Sequence, residues 1–165
     1  MSVRRKDTIV FERPPVISTW AAVGGKREGE GPLAAGFDLL VEDASFGPEG
    51  CSGWESAETM LQSKCAKICL RKAGISAREV TLAFAGDLQA QCTASAYAMR
   101  ALGVPFAGLY GACSTMAESL CLGAAFAGAG YSERTLVMTS SHFCAAERQF
   151  RTPLTYGGKR TTTAQ

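Results

Sequence analysis

Histidine occurs once in this 165-residue chain, at His142. That scarcity argues against a zinc site on Cys65 and Cys69, although the two cysteines fall four apart on one helical stretch. Both read as core-facing, and no metal site is expected. Net charge is scarce as well. Seventeen Lys and Arg against fifteen Asp and Glu leave +2, too little for a nucleic-acid footprint, so Arg4-Arg5-Lys6 reads as a solvated start. Those basic residues lead into Asp7 and Thr8 rather than an apolar segment, so no signal peptide is expected. Long apolar runs are missing too. Glu118 is the only charge between Arg100 and Glu133, but Gly103, Pro105, Gly108 and Gly111 interrupt that stretch. No run of large apolar residues approaches the roughly 20 that span a bilayer. Buried core is the expected reading.

What is present fits one globular domain. Apolar residues make up 47% and charged residues 19% of the chain, enough to build a sizeable core at this length. Seven cysteines, an odd number without an export signal, point to reduced thiols.

Helical spacing is clearest from Trp54 to Ala73. Ser52 and Glu55 suggest a capping box, Gly74 follows the last turn, and Ala57, Met60, Leu61, Cys65, Ile68 and Cys69 form the expected inward face. Ser76 and Glu79 form a second capping box before a strand over Val80–Ala85. A helix over Gln89–Leu102 stops at Gly103 and Pro105. A strand over Phe106–Tyr110, a helix over Ser114–Gly128 and a strand over Arg134–Ser140 complete the pattern. Strand–helix–strand units of this length predict an α/β fold with a mostly parallel sheet and helices on both faces. Gly24–Pro32 reads as a long irregular connection. Thr161–Gln165 reads as strand-forming, and the chain looks cut off within a fold.

Ligand-binding residues in such sheets gather at the carboxyl ends of the strands. Here those ends carry Gly86-Asp87, Gly111-Ala112-Cys113 and Ser140-Ser141-His142. Cys113 falls at a tight turn opening a helix, where unpaired N–H groups and the helix dipole favour a thiolate or a bound anion. Asp87 is equally suited to cap the following helix. The Ser114–Gly128 helix, with Glu118 as its only charge, must be covered on every side, so something beyond one sheet and its outer helices must pack on it.

The cysteine turn leading into a buried central helix resembles the N-terminal half of the thiolase fold. More specifically, the chain is similar to the stage V sporulation protein AD family of spore-forming bacteria. The resemblance rests on Val10-Phe11-Glu12 with Pro14-Pro15, Gly29-Glu30-Gly31-Pro32-Leu33, Ala85-Gly86-Asp87-Leu88 and Gly103-Val104-Pro105-Phe106. It continues through Gly108 to Met116, Thr139 to His142 and Ala146 to Arg151. It implies that residues 1–165 are the N-terminal half of a thiolase-like domain whose two halves pack a central helix each between their sheets.

The resemblance also implies function. Its members bind dipicolinic acid (pyridine-2,6-dicarboxylic acid) and act with other proteins of the stage V operon to load that acid, with calcium, into the developing spore. The expected location is cytoplasmic, peripheral at the forespore or spore inner membrane through partner proteins. No cofactor and no nucleic-acid partner are implied, and the chain is expected to dimerise or to pair with its missing half. In thiolases the partners of the cysteine come largely from that second half, and a cysteine without its base is a poor acyl-transfer nucleophile. The reading therefore leans to a binding protein, not an enzyme, with Cys113 acyl transfer from a coenzyme A thioester as the alternative. The expected ligand residues are Asp87, Cys113, Ser114, Ser140, Ser141, His142, Arg148 and Arg151. A helix N-terminus beside Cys113 and Ser114 would take one carboxylate, and His142 with an arginine the other. Asp87 is awkward beside an anion. It caps its helix, orients His142, or lies beside calcium where the ligand arrives as a chelate.

Overall fold

The computed structural model describes residues 3–43, 51, 53–88 and 92–146. In chain order the elements are β1 (Val3–Arg5), β2 (Thr8–Val10), β3 (Val23–Gly25), α1 (Lys26–Gly29), β4 (Leu39–Val41) and α2 (Trp54–Ala73). They continue with β5 (Leu82–Asp87), α3 (Thr93–Leu102), β6 (Phe106–Gly108), α4 (Thr115–Gly128) and β7 (Thr135–Ser140).

Three parallel strands in the order β6-β5-β7 form the central sheet. Its pleat sorts side chains between two layers. Ala83 and Ala85 of β5 and Leu136 and Met138 of β7 face a core completed by Ala66, Leu70, Ala98, Met99 and Val104 from the α2 and α3 side. Phe84 turns to the opposite face and meets Phe126 of α4 edge-on at 5.0 Å. Gly123 brings α4 close to β7, for a Cβ there would stand 2.6 Å from Val137 Cγ1. The α/β expectation, with a parallel sheet and helices on both faces, is what the chain adopts. Among the described residues no helix is long and apolar enough to cross a membrane.

Several boundaries move. The central strand runs Leu82–Asp87 rather than Val80–Ala85, which draws Gly86 and Asp87 into the sheet. Pairing of β6 ends at Gly108, although the Leu109 N–H still reaches the Ala85 carbonyl at 2.9 Å. Helix α3 begins at Thr93, and Gln89–Gln91 lie outside the described residues. Gly24–Pro32 is more ordered than expected. It contains the end of β3, which pairs with β4, and the short helix α1, where the Glu28 carboxylate accepts the Gly25 N–H at 2.9 Å. Thr161–Gln165 lie outside the described residues.

Helix α2 corrects the expectation most. It starts at Trp54 with the Ser56 hydroxyl accepting the Gly53 N–H at 3.0 Å, and Ser52 lies outside the described residues. Gly74 ends it at φ 68°, the left-handed turn glycine favours. Of the six residues expected inward, Ala57 is fully buried and the other five are half-buried. The deepest positions are instead Ala57, Glu58, Gln62, Ser63, Ala66 and Leu70. Half-buried Cys65 donates to the Ala21 carbonyl at 3.3 Å, on the side where the segment before β3 passes. That segment is held by Asp38, which accepts the Ala22 N–H at 3.0 Å and pairs with Lys72 at 2.9 Å.

Candidate functional site

The carboxyl ends of β5 and β7 are locked in register, with Asp87 opposite Ser140. Both lie on the α2 and α3 side of the pleat. Asp87 is fully buried, and its Oδ2 accepts the Ser95 backbone N–H at 3.0 Å and the Ser95 hydroxyl at 2.9 Å. Ser95 is the third residue of α3, so Asp87 supplies the cap of that helix from a neighbouring strand. It stands in for Cys92, which occupies the N-cap position at φ 48° and makes no side-chain cap. Charge also favours this arrangement, because the helix N-terminus stabilises a carboxylate.

From Ser95 the polar chain continues into α2. The Gln62 carboxamide donates to Ser95 Oγ at 2.8 Å and to Ser140 Oγ at 2.7 Å. Ser140 in turn donates to Glu58 Oε1 at 2.7 Å. Glu58 and Gln62 are each only 1% exposed. Burial pushes the Glu58 carboxyl above its ordinary range. The Ser140 hydroxyl opposes that rise, the Asp87 charge adds to it, and His142 opposes it through its charge and its backbone N–H. His142 itself is buried at the start of a helical turn over 143–146, its carbonyl accepting the Ala146 N–H at 2.9 Å.

The cysteine turn forms the other part of the edge. Ala112–Ser114 make one 3-10 turn that runs directly into α4. Ala112 sits at φ 46°, a left-handed conformation that is strained for a residue with a Cβ. A Cβ at Gly111 would displace the Glu118 carboxylate and the Ser114 hydroxyl, which stand against it. The Ser114 hydroxyl and N–H both return to the Gly111 carbonyl, at 2.7 and 2.9 Å. Gly86 lets this turn approach β5. A Cβ there would collide with the Leu109 carbonyl oxygen and lie 2.6 Å from Thr115 Cγ2.

Cys113 and Ser114 are therefore exposed at the start of α4, whereas Asp87, Glu58 and His142 lie buried beneath the strand ends. Ser140 is half-buried and Ser141 exposed. The Cys113 thiol takes no part in the hydrogen bonds that link Asp87, Ser95, Gln62, Ser140 and Glu58. Arg148 and Arg151 lie outside the described residues. Glu58, Gln62 and Ser95 were not among the expected site residues. The available sequence signal was their spacing, because Glu58 and Gln62 share a four-residue stripe with Ala66 and Leu70.

Helix α4 meets the sheet through Thr115, Ser119 and Gly123, which are buried. Its far side carries Met116 at 44% exposure and Leu120 at 38%, with Ala117 and Cys121 also exposed. The helix, with Glu118 as its one charge, is thus covered on one side by the described residues and open on the other.

These features define a mixed α/β protein with a parallel sheet and a polar cluster at its strand ends. The chain belongs to the stage V sporulation protein AD (SpoVAD) family, whose model matches residues 5–165. It is 35% identical over 164 residues to stage V sporulation protein AD of Bacillus subtilis (strain 168), covering 99% of this chain and 48% of that protein. The chain therefore spans about half the length of this curated relative. Among solved structures it matches a 3-oxoacyl-[acyl-carrier-protein] synthase III from Aquifex aeolicus VF5, at TM-score 0.49 and 24% identity, over 53% of this chain and 30% of that one.

Proposed function

We propose that this chain supplies the first half of a sporulation protein that binds dipicolinic acid, or its calcium chelate, for uptake into the developing spore. Family membership supports the sporulation role. The observation that supports the ligand reading is that the α4 start, with exposed Cys113 and Ser114, and the Ser140–His142 segment follow the carboxyl ends of the two strands that flank β5. Dipicolinate is a flat dianion. Backbone N–H groups at the α4 start suit one carboxylate, and His142 with Arg148 or Arg151 suits the other. Asp87, already engaged by Ser95, acts as helix cap and wall instead of direct ligand.

The open side of α4 pairs with the second half of the full-length protein or, where that half is absent, with a second copy. Other stage V operon proteins bring the complex to the membrane. Calorimetry of the full-length protein against dipicolinate, with and without calcium, tests the ligand; no heat at millimolar concentration would reject it. Incubation with a radiolabelled acyl-CoA tests the chemistry. A stable adduct on Cys113, lost in Cys113→Ala, would replace the binding reading with acyl transfer.

A further inference from the structure

The polar cluster beneath the strand ends has more acceptors than hydrogens. Ser95 gives its N–H and O–H to one oxygen of Asp87, Gln62 gives its amide hydrogens to Ser95 and Ser140, and Ser140 gives its hydroxyl to Glu58. With those donors spent, buried Glu58 Oε2, Asp87 Oδ1 and Gln62 Oε1 have no hydrogen-bond partner among the described residues. A buried oxygen without a donor is costly, and two buried carboxylates in one cluster repel. One proton added to Glu58 removes the repulsion between them.

The two acids are not equivalent. Asp87 Oδ2 accepts two hydrogen bonds from Ser95 at the N-terminus of α3. Glu58 has the Ser140 hydroxyl as its side-chain donor. The charged and titratable groups acting on it are Asp87 from β5 and His142 beyond β7. Gln62 on its own helix is neutral, and α3 presents Ser95 to the cluster.

We infer that Glu58 is the proton-holding residue of the strand-end site: it takes up a proton when a carboxylate ligand occupies the edge above Asp87, so that anion binding and proton uptake are linked. This rests on the dipicolinate reading for its ligand, while the claim about Glu58 concerns the protein itself. The physical logic is direct. A bound dianion raises the cost of a second buried negative charge beneath it, and a neutral Glu58 removes that charge. Burial already moves the carboxyl in the required direction. Between the titration of Glu58 in the free protein and its higher titration in the complex, affinity falls as pH rises, by about tenfold per pH unit for one linked proton.

Two measurements on the full-length protein separate the parts. Calorimetry of dipicolinate binding in buffers of different ionisation enthalpy reads proton uptake in the wild type without any variant. Uptake near one proton, abolished in Glu58→Gln together with the pH dependence of affinity, is the expected result. Uptake that persists in Glu58→Gln belongs to His142 and overturns the assignment, and absence of uptake in the wild type overturns the linkage. Infrared pH-difference spectra without ligand provide the second readout: a protonated carboxyl band that persists above the range in which exposed carboxyls titrate is expected in the wild type and absent in Glu58→Gln. If dipicolinate gives no heat, the ligand reading and the linkage to it fail. The infrared band then still decides whether Glu58 holds a proton, and a spectrum lacking it overturns that as well.

Discussion

Asp87 and Ser140 stand opposite each other at the last position of the β5–β7 ladder, yet the side-chain bonds joining them run through Gln62 of α2. One carboxamide thus ties a helix to both neighbours of the strand-end edge. Replacing Gln62 with Met keeps the volume and removes both donors. Two serine hydroxyls lose a buried partner each, so a loss of about 2 kcal/mol is expected in urea unfolding. A change within 0.5 kcal/mol, about the spread of surface substitutions, would mean the network contributes little.

Glu58 gives the stability of the fold a particular pH dependence. Burial raises its folded pKa above the ordinary glutamate value of 4.5. The folded state therefore binds more protons than the unfolded state between those values, and stability falls as pH rises through that window. Glu58→Gln should flatten this loss and unfold at a higher temperature than wild type at pH 7, relative to their order at pH 4. Asp38 and Glu79 act in the opposite sense. The Lys72 bond to Asp38 and the Ser76 N–H to Glu79 lower their pKa values, so their contributions are present above 3.8 and 4.5 and fade below. Thermal melts of Glu58→Gln, Asp38→Asn and Glu79→Gln against pH distinguish these directions.

How much of this was readable in the sequence follows from what each signal measures. Gly74 and Gly103 marked helix ends because both sit at φ 68°, and local backbone demands of this kind leave a residue-type signature. The order of the strands was legible because hydrophobic runs are flanked by turns, but β5 ends two residues beyond the expected Ala85 and β6 two residues before Tyr110. Asp87, Ser140 and His142 followed from that placement. Glu58 and Gln62 did not, because a Glu or Gln on a helix reads as solvated unless its partners are known. Those partners, Ser140 and Ser95, lie 82 and 33 positions away. The apolar stripe expected inward was correctly apolar but serves a shallower contact, toward the segment that carries Ala21.

Gly86 should be among the least replaceable positions. Its added Cβ meets the Leu109 carbonyl, which is backbone and cannot swing aside, and Thr115, which is fully buried. Gly86→Ala must push the cysteine turn away from β5. A loss of about 3 kcal/mol is expected by chemical denaturation, at the upper end for point substitutions. If dipicolinate binds at this edge, its affinity should fall as well, because the α4 start moves relative to β5. Wild-type stability in this variant would show that the turn has room the geometry does not indicate.

Thiol reactivity offers an independent check of the edge. Cys113 and Cys121 are exposed, whereas Cys92 is buried and donates to the Leu109 carbonyl at 2.7 Å. Burial first, and then the nearby Asp87 charge, raises the Cys92 pKa and lowers its thiolate fraction at neutral pH. Timed alkylation with iodoacetamide, read by peptide mass spectrometry, should label Cys113 and Cys121 early and Cys92 last. Dipicolinate should slow Cys113 and leave Cys121 unchanged if the ligand sits at the α4 start. Equal protection of both thiols would instead indicate closure of the whole open side of α4.

That open side makes the last prediction. Leu120 is 38% exposed and Met116 44% in this chain, on a helix whose one charge, Glu118, lies in its first turn. If the second half of the full-length protein covers this face, Leu120→Lys forces an amine into a buried contact. Destabilisation of about 3 kcal/mol or more is then expected in the full-length protein, since an unpaired buried charge is among the costliest substitutions. In the 165-residue chain studied alone and monomeric, the same substitution should cost under about 1 kcal/mol, because the lysine reaches water. Equal effects in both would mean that α4 remains open in the complete protein, and the pairing of halves across this helix would be wrong.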